Sequence, residues 1–192
     1  MAADLFKPGE AGTLCETRVS ALSRLDRPAP DGAGDEPRAQ MTGVLKGIAR
    51  HGRPRGPMET VDHVAVTCEE GVRGDFRGAR RPGKRNLRQI TVMEAESWAE
   101  AMAVLGADVP WQERRANLLV DGLKLPRRTG AVIAIGASLR IETTGECDPC
   151  SRMEEVVPGL KAALMPFWRG GVTGKVLTDG EIAVGDEVRI EE

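Results

Sequence analysis

The stretch "GVTGKVLTDGEIAVGDEVRIEE", residues 171–192, decides the fold of this chain. Apolar and polar residues alternate along it in short runs, and glycines separate the runs, together with the Asp-Gly pair at 179–180. Short alternating runs broken by turn residues are typical of β-strands joined by tight turns. The stretch therefore predicts several short strands.

Part of this stretch has a counterpart earlier in the chain. The segments "IAIGASLRIE" (133–142) and "IAVGDEVRIE" (182–191) are identical at six of ten positions. Each is interpreted as a strand, a glycine-centred bend and a strand that leaves at a new angle, which is a corner that lets a sheet curl shut. A duplicated domain is the alternative, but ten residues are too few to support it.

Strand patterns continue through most of the chain from residue 42 onward, and one segment departs from them. "EAESWAEAMAVLG" (94–106) is rich in Ala, Glu and Met and predicts a helix that stops at Gly106. Many short strands, frequent glycine turns and one clear helix predict a mainly β fold. We expect a closed or nearly closed β-barrel with a few short helices, because closure removes exposed strand edges.

Composition limits the class of protein. The 192 residues are 41% apolar but only 3% aromatic, with no tyrosine, so the core is expected to be aliphatic. A net charge of -2 does not point to nucleic acid or a membrane surface. Four cysteines are too few for a secreted disulfide scaffold, and neither a secretory signal nor a bilayer-spanning run is evident. We expect a cytoplasmic protein without a membrane partner.

The chain divides near residue 40. Residues 26–40, "DRPAPDGAGDEPRAQ", contain Pro, Gly and Asp at a density typical of a flexible linker. Residues 1–40 are therefore predicted to be an N-terminal extension with this linker, and residues 41–192 to be the barrel domain.

The stretch "TGECDPCSRMEE" (144–155) contains two cysteines, Cys147 and Cys150, for which three interpretations compete. A structural zinc site needs four ligands, commonly as two pairs, and only one pair is present. A thioredoxin-like dithiol belongs at a helix start in a βαβ setting, which this β-rich region lacks. The third interpretation, a single reactive thiol at Cys150, is favoured here over an ordinary buried cysteine.

Local sequence supports a presented thiol. Pro149 makes the backbone before Cys150 rigid, and Ser151 with Glu154 forms an S-x-x-E pattern that predicts a capping box. A short helix is therefore expected to start just after Cys150, where backbone N–H groups and the charge of Arg152 favour a thiolate.

The loop "GVRGDFRGARRPGKRNLR" (71–88) is strongly basic, with seven cationic residues against the single acid Asp75. Arginines among glycines can bind phosphate bidentately, although a solvated, mobile surface loop is the alternative. Nucleic acid is not expected, because only Phe76 could stack on bases. The pair Gly170-Gly171 either lets the backbone approach a partner or forms a simple turn.

Five segments in order resemble the MOSC domain, named for the C-terminal domain of molybdenum cofactor sulfurases, in its bacterial stand-alone form. They are "GVRGD" (71–75), "RQITVMEAESW" (88–98), "RRANLLVDGLKL" (114–125), "TGECDPCSRME" (144–154) and "RGGVTGKVLTDGEIAVGDEVRI" (169–190). The resemblance implies a β-barrel whose cysteine, Cys150, carries persulfide sulfur or ligates molybdenum in a bound pterin cofactor. It also implies no pyridoxal phosphate site, which belongs to a separate desulfurase domain.

The resemblance assigns further residues to the cofactor cleft. Arg115 and Asn117 match the Arg and Asn that contact the pterin in relatives that bind it, and Arg73 and Asp75 match residues that line the same cleft. Together with the residues singled out above, the predicted cofactor-binding set is Arg73, Asp75, Arg115, Asn117, Arg152, Gly170 and Gly171.

Two kinds of function follow from these residues. One is a sulfur carrier or molybdenum-cofactor protein, with sulfurtransferase-type or molybdenum-dependent activity at Cys150. Its expected partners are a cysteine desulfurase or other sulfur donor and a molybdoenzyme or cofactor acceptor, and Cys147 either resolves a persulfide or is a spectator. The other is a non-catalytic module that binds a phosphorylated, pterin-like ligand or a partner protein, with a structural Cys150.

Overall fold

Seven strands close into a barrel in the computed structural model, which describes residues 42–191. The strands in chain order are β1 (Thr42–Arg50), β2 (Glu59–Val61), β3 (His63–Thr67), β4 (Gly71–Val72), β5 (Ile90–Glu94), β6 (Leu118–Asp121), β7 (Val132–Ile135), β8 (Leu139–Glu146), β9 (Val172–Thr178), β10 (Gly180–Ala183) and β11 (Glu187–Glu191). The helices are α1 (Ala95–Leu105), α2 (Met153–Val156) and α3 (Leu160–Leu164), with 3₁₀ turns at Trp111–Arg114 and Pro166–Trp168.

The ring of the barrel runs β11-β7-β8-β9-β5-β6-β1, and pairing of β1 with β11 closes it. β1 is long enough to meet three neighbours in succession, with Thr42 opposite Arg189, Val44 opposite Asp121 and Ile48 opposite Val61. Strands β10, β3 and β4 form a second, small sheet. The prediction of a mainly β, closed barrel with a few short helices is confirmed.

The two similar segments have different structures. Residues 182–191 lead from β10 in the small sheet to β11 in the barrel, so this segment is a corner as predicted. Residues 133–142 instead form an antiparallel hairpin, β7–β8, with Ile135 opposite Leu139, and there the corner prediction is wrong. The second strand of the hairpin turns back and pairs with the first, so β8 lies between β7 and β9 in the barrel.

The barrel interior is aliphatic, as the composition predicts. Leu45, Ile90, Leu118, Ile133 and Ile141 are among its fully buried side chains. Burial of each such side chain stabilises the fold by about 1.5–3 kcal/mol.

A second apolar cluster lies outside the barrel wall, between the strands and the helices. Trp98 of α1 and Leu119 of β6 belong to it, and so do Met153 of α2 and Leu160 of α3. Met153 is 1% exposed, so it anchors the segment that follows Cys150 against the barrel.

The long helix agrees with its prediction and the short one does not. α1 ends at Leu105, and the backbone N–H of Gly106 caps it. α2 begins only at Met153, and neither Ser151 nor Glu154 makes a side-chain cap there. The capping box is wrong because the Glu154 carboxylate accepts instead from the backbone N–H groups of Gly159 and Lys161, at 2.8 and 3.0 Å.

The predicted extension over residues 1–40 lies outside the described residues. Within residues 42–191, none of the helices combines the length and the apolar character needed to cross a bilayer.

Candidate functional site

A cleft of about 530 Å³ opens where the basic loop meets the cysteine loop. Seven cationic side chains line it against one acidic side chain, Asp148. The cationic residues are Arg77, Arg81, Lys84, Arg88, Arg114, Arg115 and Arg152. Such a concave, one-signed lining concentrates positive potential and favours an anionic ligand.

Cys150 lies in the wall of this cleft and is exposed. Its carbonyl oxygen accepts from the N–H of Met153 at 3.0 Å, and the buried Met153 side chain fixes that turn. The sulfur is therefore presented by packing on its C-terminal side rather than by the helix start that the sequence suggested.

Cys147 has the opposite environment, because its side chain is only 1% exposed. Its Sγ accepts from Nη2 of Arg88 at 3.4 Å and from Nη2 of Arg114 at 3.3 Å. Two guanidinium groups therefore donate to one buried sulfur. Both arginines also line the cleft, so Cys147 lies directly behind the cationic wall.

The glycine pair makes room for the cysteine loop. A Cβ on Gly170 would clash with the carbonyl oxygen of Cys147, and one on Gly171 would clash with that of Val92. The N–H of Cys147 donates to the carbonyl of Gly171 at 2.8 Å. The close approach expected of Gly170 and Gly171 is thus to the protein's own backbone, and neither residue lines the cleft.

Asp75 is buried behind the cleft and organises its floor. Its Oδ2 accepts from Nδ1 of His51 at 2.9 Å, from the backbone N–H of His51 at 3.1 Å and from Nδ2 of Asn117 at 3.2 Å. Its Oδ1 accepts from the N–H of Arg77 at 2.8 Å. Asp75 and Asn117 therefore support the cleft from behind.

His51 is the member of this network that the sequence analysis missed. Burial lowers its pKa, Asp75 opposes that shift, and the nearby charges of Arg115 and Arg77 add to it. The ring is therefore neutral near pH 7, with its Nδ1 hydrogen directed at Asp75. The only signal in the sequence was that histidine occurs just twice in the chain.

Arg115 joins the cleft to this floor. It follows the 3₁₀ turn Trp111–Arg114, and its backbone is in the left-handed region at φ 63°. Nη1 donates to the carbonyl oxygen of Gly56 at 2.9 Å, whereas Nε and Nη2 are buried without a partner among residues 42–191. Burial lowers the pKa of Arg115, and the charges of Arg152 and Arg77 lower it further.

The structure thus brings together three of the predicted residues, Cys150, Arg115 and Arg152, around one cleft. Arg73 lies elsewhere: it is exposed, has Glu70 at 4.0 Å and borders a separate concavity near the small sheet. Arg77, Arg88 and Arg114 line the cleft although the sequence singled out none of them individually.

Metal-binding side chains do not cluster in the part of the chain that the structure describes. Over residues 42–191, no three His, Cys, Asp or Glu side chains come together as a metal site. A metal held by Cys150 would have to arrive with other ligands of its own.

Comparison with known proteins extends this picture. A model of the MOSC domain matches residues 78–189. Three solved structures share the fold: the YuaD protein from Bacillus subtilis, and YiiM from Escherichia coli and from Geobacillus stearothermophilus. None of the curated proteins matches the sequence.

The similarity to YuaD extends over 79% of this chain and 96% of that one, with a TM-score of 0.67 and 22% identity. The E. coli YiiM match covers 78% and 70% of the two chains, with a TM-score of 0.56 and 15% identity. The G. stearothermophilus YiiM match covers 80% and 75%, with a TM-score of 0.53 and 18% identity. At these identities the structural matches establish a common fold.

Proposed function

Because this chain belongs to the MOSC domain family, we propose that its cleft binds a phosphorylated pterin cofactor that carries molybdenum, with Cys150 as the protein's sulfur ligand. The observation that carries the proposal is the position of Cys150: an exposed thiol in the wall of a cleft with seven cationic side chains.

The size and charge of the cleft fit such a ligand. A volume of about 530 Å³ lies within the range of small-molecule and cofactor sites. Guanidinium groups bind phosphate through paired N–H donors. Within residues 42–191 only Nη1 of Arg115 has an acceptor, so its buried Nε and Nη2 form a pair of donors without one.

The donor set also fits a metal that brings its own ligands. Cys150 supplies one soft sulfur, which suits a transition metal. No further metal-binding side chains cluster within residues 42–191, so the remaining ligands would belong to the pterin. When bound, such a cofactor supplies two-electron redox chemistry or sulfur transfer.

The protein's own residues have three tasks in this proposal. Arg115 and Arg152 neutralise the ligand's charge. Arg114 and Arg88 hold Cys147, and with it the backbone that leads to Cys150. Asp75 fixes the floor of the cleft through its hydrogen bonds with His51, Asn117 and the backbone of Arg77.

Exposure of Cys150 also favours a second candidate, a persulfide carrier. A macromolecular donor such as a cysteine desulfurase can reach an exposed sulfur, and a molybdoenzyme or other acceptor can take the sulfur from it. A non-catalytic phosphate-binding module is the outcome that remains if the sulfur has neither role.

Metal and pterin analysis of the purified protein separates these functions. Wild type, Cys150→Ser and the control Cys68→Ser are produced in cells supplied with molybdate. Cys68 suits the control because it does not line the cleft. We expect molybdenum and pterin in wild type and Cys68→Ser, and loss of molybdenum in Cys150→Ser.

Other results would point elsewhere. A mass gain of one sulfur on wild type but not on Cys150→Ser, after incubation with a desulfurase and cysteine, would favour the carrier. Pterin retained equally in all three proteins without molybdenum would favour the non-catalytic module. Wild type that takes up neither group even when offered the isolated cofactor would contradict the proposal.

A further inference from the structure

Behind the arginine-lined cleft lies a small recess of about 10 Å³, which is room for a single oxygen atom. Arg77, Arg88 and Arg115 border both the cleft and the recess, so the two spaces adjoin. The other polar residues around the recess include His51, Asp75 and Asn117.

One hydrogen-bond acceptor belongs to a residue that borders this recess. His51 is 3% exposed, and its Nδ1 lies 2.9 Å from a carboxylate oxygen of Asp75. Because an ionised carboxylate only accepts, Nδ1 carries the ring hydrogen, and in the neutral ring Nε2 is then an acceptor. Nε2 is buried and has no partner within residues 42–191.

Two donors border the same space. The Nε and Nη2 groups of Arg115 form one edge of its guanidinium, and neither has an acceptor among the described residues. A buried polar group without a partner costs about 1–3 kcal/mol. Arg115 and His51 both border the recess, and one oxygen that accepts from the Arg115 edge and donates to Nε2 of His51 would satisfy all three atoms. Water has this pattern, and so has the protonated oxygen of an anion, which the cationic residues bordering the recess favour.

We infer that the recess is a subsite for the protonated oxygen of an anionic ligand, of which a hydrogen phosphate group is the simplest case. The Arg115 edge donates to the phosphate oxygens, and Nε2 of His51 accepts the hydrogen of the P–OH group. A fully ionised oxyanion satisfies Arg115 but leaves His51 unpaired. This inference rests on the proposed function only in assuming that the ligand is phosphorylated. It adds that the site selects a phosphate group that still carries a hydrogen.

Burial, more than the surrounding charges, keeps His51 an acceptor by lowering its pKa. Among the described residues that border the recess, Asp75 is the one acidic residue, and Arg77, Arg88 and Arg115 are cationic. Burial together with Arg115 and Arg77 lowers the pKa of His51, so the ring stays neutral near pH 7. In acid, a protonated ring would present a donor to Arg115, and the selectivity would disappear.

Inorganic phosphate and sulfate test this inference as matched probes. Both are tetrahedral, but near pH 7 phosphate keeps at least one hydrogen and sulfate keeps none. Calorimetric titration of the wild type is expected to show phosphate binding about tenfold more tightly than sulfate, the value of one hydrogen bond that involves a charged group. Equal affinities would overturn the inference.

His51→Asn is the matched variant. Asparagine can still donate to Asp75, but it ends short of the position of Nε2. We expect the preference for phosphate to fall to about one, with sulfate affinity unchanged. A preference that survives His51→Asn would show that another group selects the hydrogen.

A measurement on the wild type keeps the inference testable if the variant fails to fold. Nitrogen-15 spectra contain two imidazoles, His51 and His63. We expect His51 to carry its hydrogen on Nδ1, and its Nε2 signal to move with phosphate but not with sulfate. His63, which is exposed and lies outside the cleft, is the reference. A hydrogen on Nε2, or a signal that phosphate does not move, would contradict the inference.

Cys150→Ser separates this subsite from the proposed function. The recess does not include Cys150, so the preference for phosphate is expected to persist in that variant. Loss of molybdenum from Cys150→Ser with the preference intact supports both proposals. Molybdenum that stays bound to Cys150→Ser contradicts the role of Cys150 alone, and a preference that is missing from the wild type as well contradicts the subsite alone.

Discussion

The guanidinium of Arg114 lies 2.6 Å from the carbonyl oxygen of Cys147 and 3.3 Å from the sulfur of the same residue. The same Nη2 group also donates to the carbonyl oxygen of Gly170, at 2.8 Å. Arg114 is 3% exposed, so one buried cation joins the cysteine loop to the segment that enters β9.

Arg114→Met should destabilise the fold by about 2–4 kcal/mol, because methionine keeps much of the apolar volume but leaves two buried carbonyl oxygens without a donor. Urea denaturation measures the loss. Arg85→Met, at an exposed position of the basic loop, is the control and should change stability by less than about 0.5 kcal/mol. Equal effects of the two substitutions would mean that the Arg114 contacts are not stabilising.

Alkylation at neutral pH should distinguish the three cysteines that the structure describes, in a Cys15→Ser background that removes the fourth. Cys150 is exposed and should react first. Burial raises the pKa of Cys68, and its contacts with Asp179 raise it further, so we expect its reaction to be slower by about tenfold or more. Cys147 should react only when the chain unfolds.

Peptide mass spectrometry over time gives the order of modification. Faster labelling of Cys147 than of Cys150 would show that the cysteine loop opens readily in solution. If Cys150 is labelled at mildly acidic pH faster than a free thiol is at the same pH, the result would support its role as a reactive thiolate.

The buried imidazole of His51 should make stability depend on pH. Burial lowers its pKa in the folded state, so the unfolded chain, with a histidine pKa of about 6.5, binds the proton more readily. The contribution of neutral His51 is therefore complete above about pH 6.5 and is lost as the pH falls through the folded-state pKa.

Denaturation between about pH 7.5 and 5.5 measures this slope. His51→Asn should flatten it, and His63→Asn, at an exposed position, should leave it as in the wild type. Identical slopes in all three proteins would show that His51 is not the residue responsible.

Two glycines with positive φ provide a matched pair. Gly171 has a φ of 93°, and a Cβ there would clash with the carbonyl oxygen of Val92; Gly185 has a φ of 100° and open space around it. Gly185→Ala should cost about 1–2 kcal/mol from backbone strain alone. Gly171→Ala should cost about 2–3 kcal/mol more, since the backbone must also shift. Comparable costs, measured by thermal or urea unfolding, would contradict the close packing at Gly171.

The fold could be predicted because its signals are local. A few neighbouring positions are enough to recognise the alternation of apolar and polar residues and the glycine turns. The same is true of the helix that Gly106 caps. The hairpin at 133–142 could not be distinguished from the corner at 182–191, because the two segments share six of ten residues, including the glycine and the Arg-Ile-Glu end. What differs is the pairing of each first half: β7 pairs with β8 in the barrel, whereas β10 pairs with β3 in the small sheet.

The site was predicted in part for the same reason. Cys150 stood out from its immediate neighbours, and the basic loop from its composition. The partners of Cys147 and His51 lie far away in sequence, at Arg114 and Asp75, and only the register of the strands brings them together. The capping box failed because Glu154 had a competing use at the start of α3, which no local pattern reveals.

The pairing of β1 with β11 has a consequence for biosynthesis. As the chain leaves the ribosome, the segment that becomes β1 emerges first and must wait for Glu187–Glu191 before the ring can be completed. Until then its unpaired edge can recruit strands from other nascent chains. Slow translation near the 3′ end of the message should therefore lower the yield of native protein more than a similar delay near the start of β1 does.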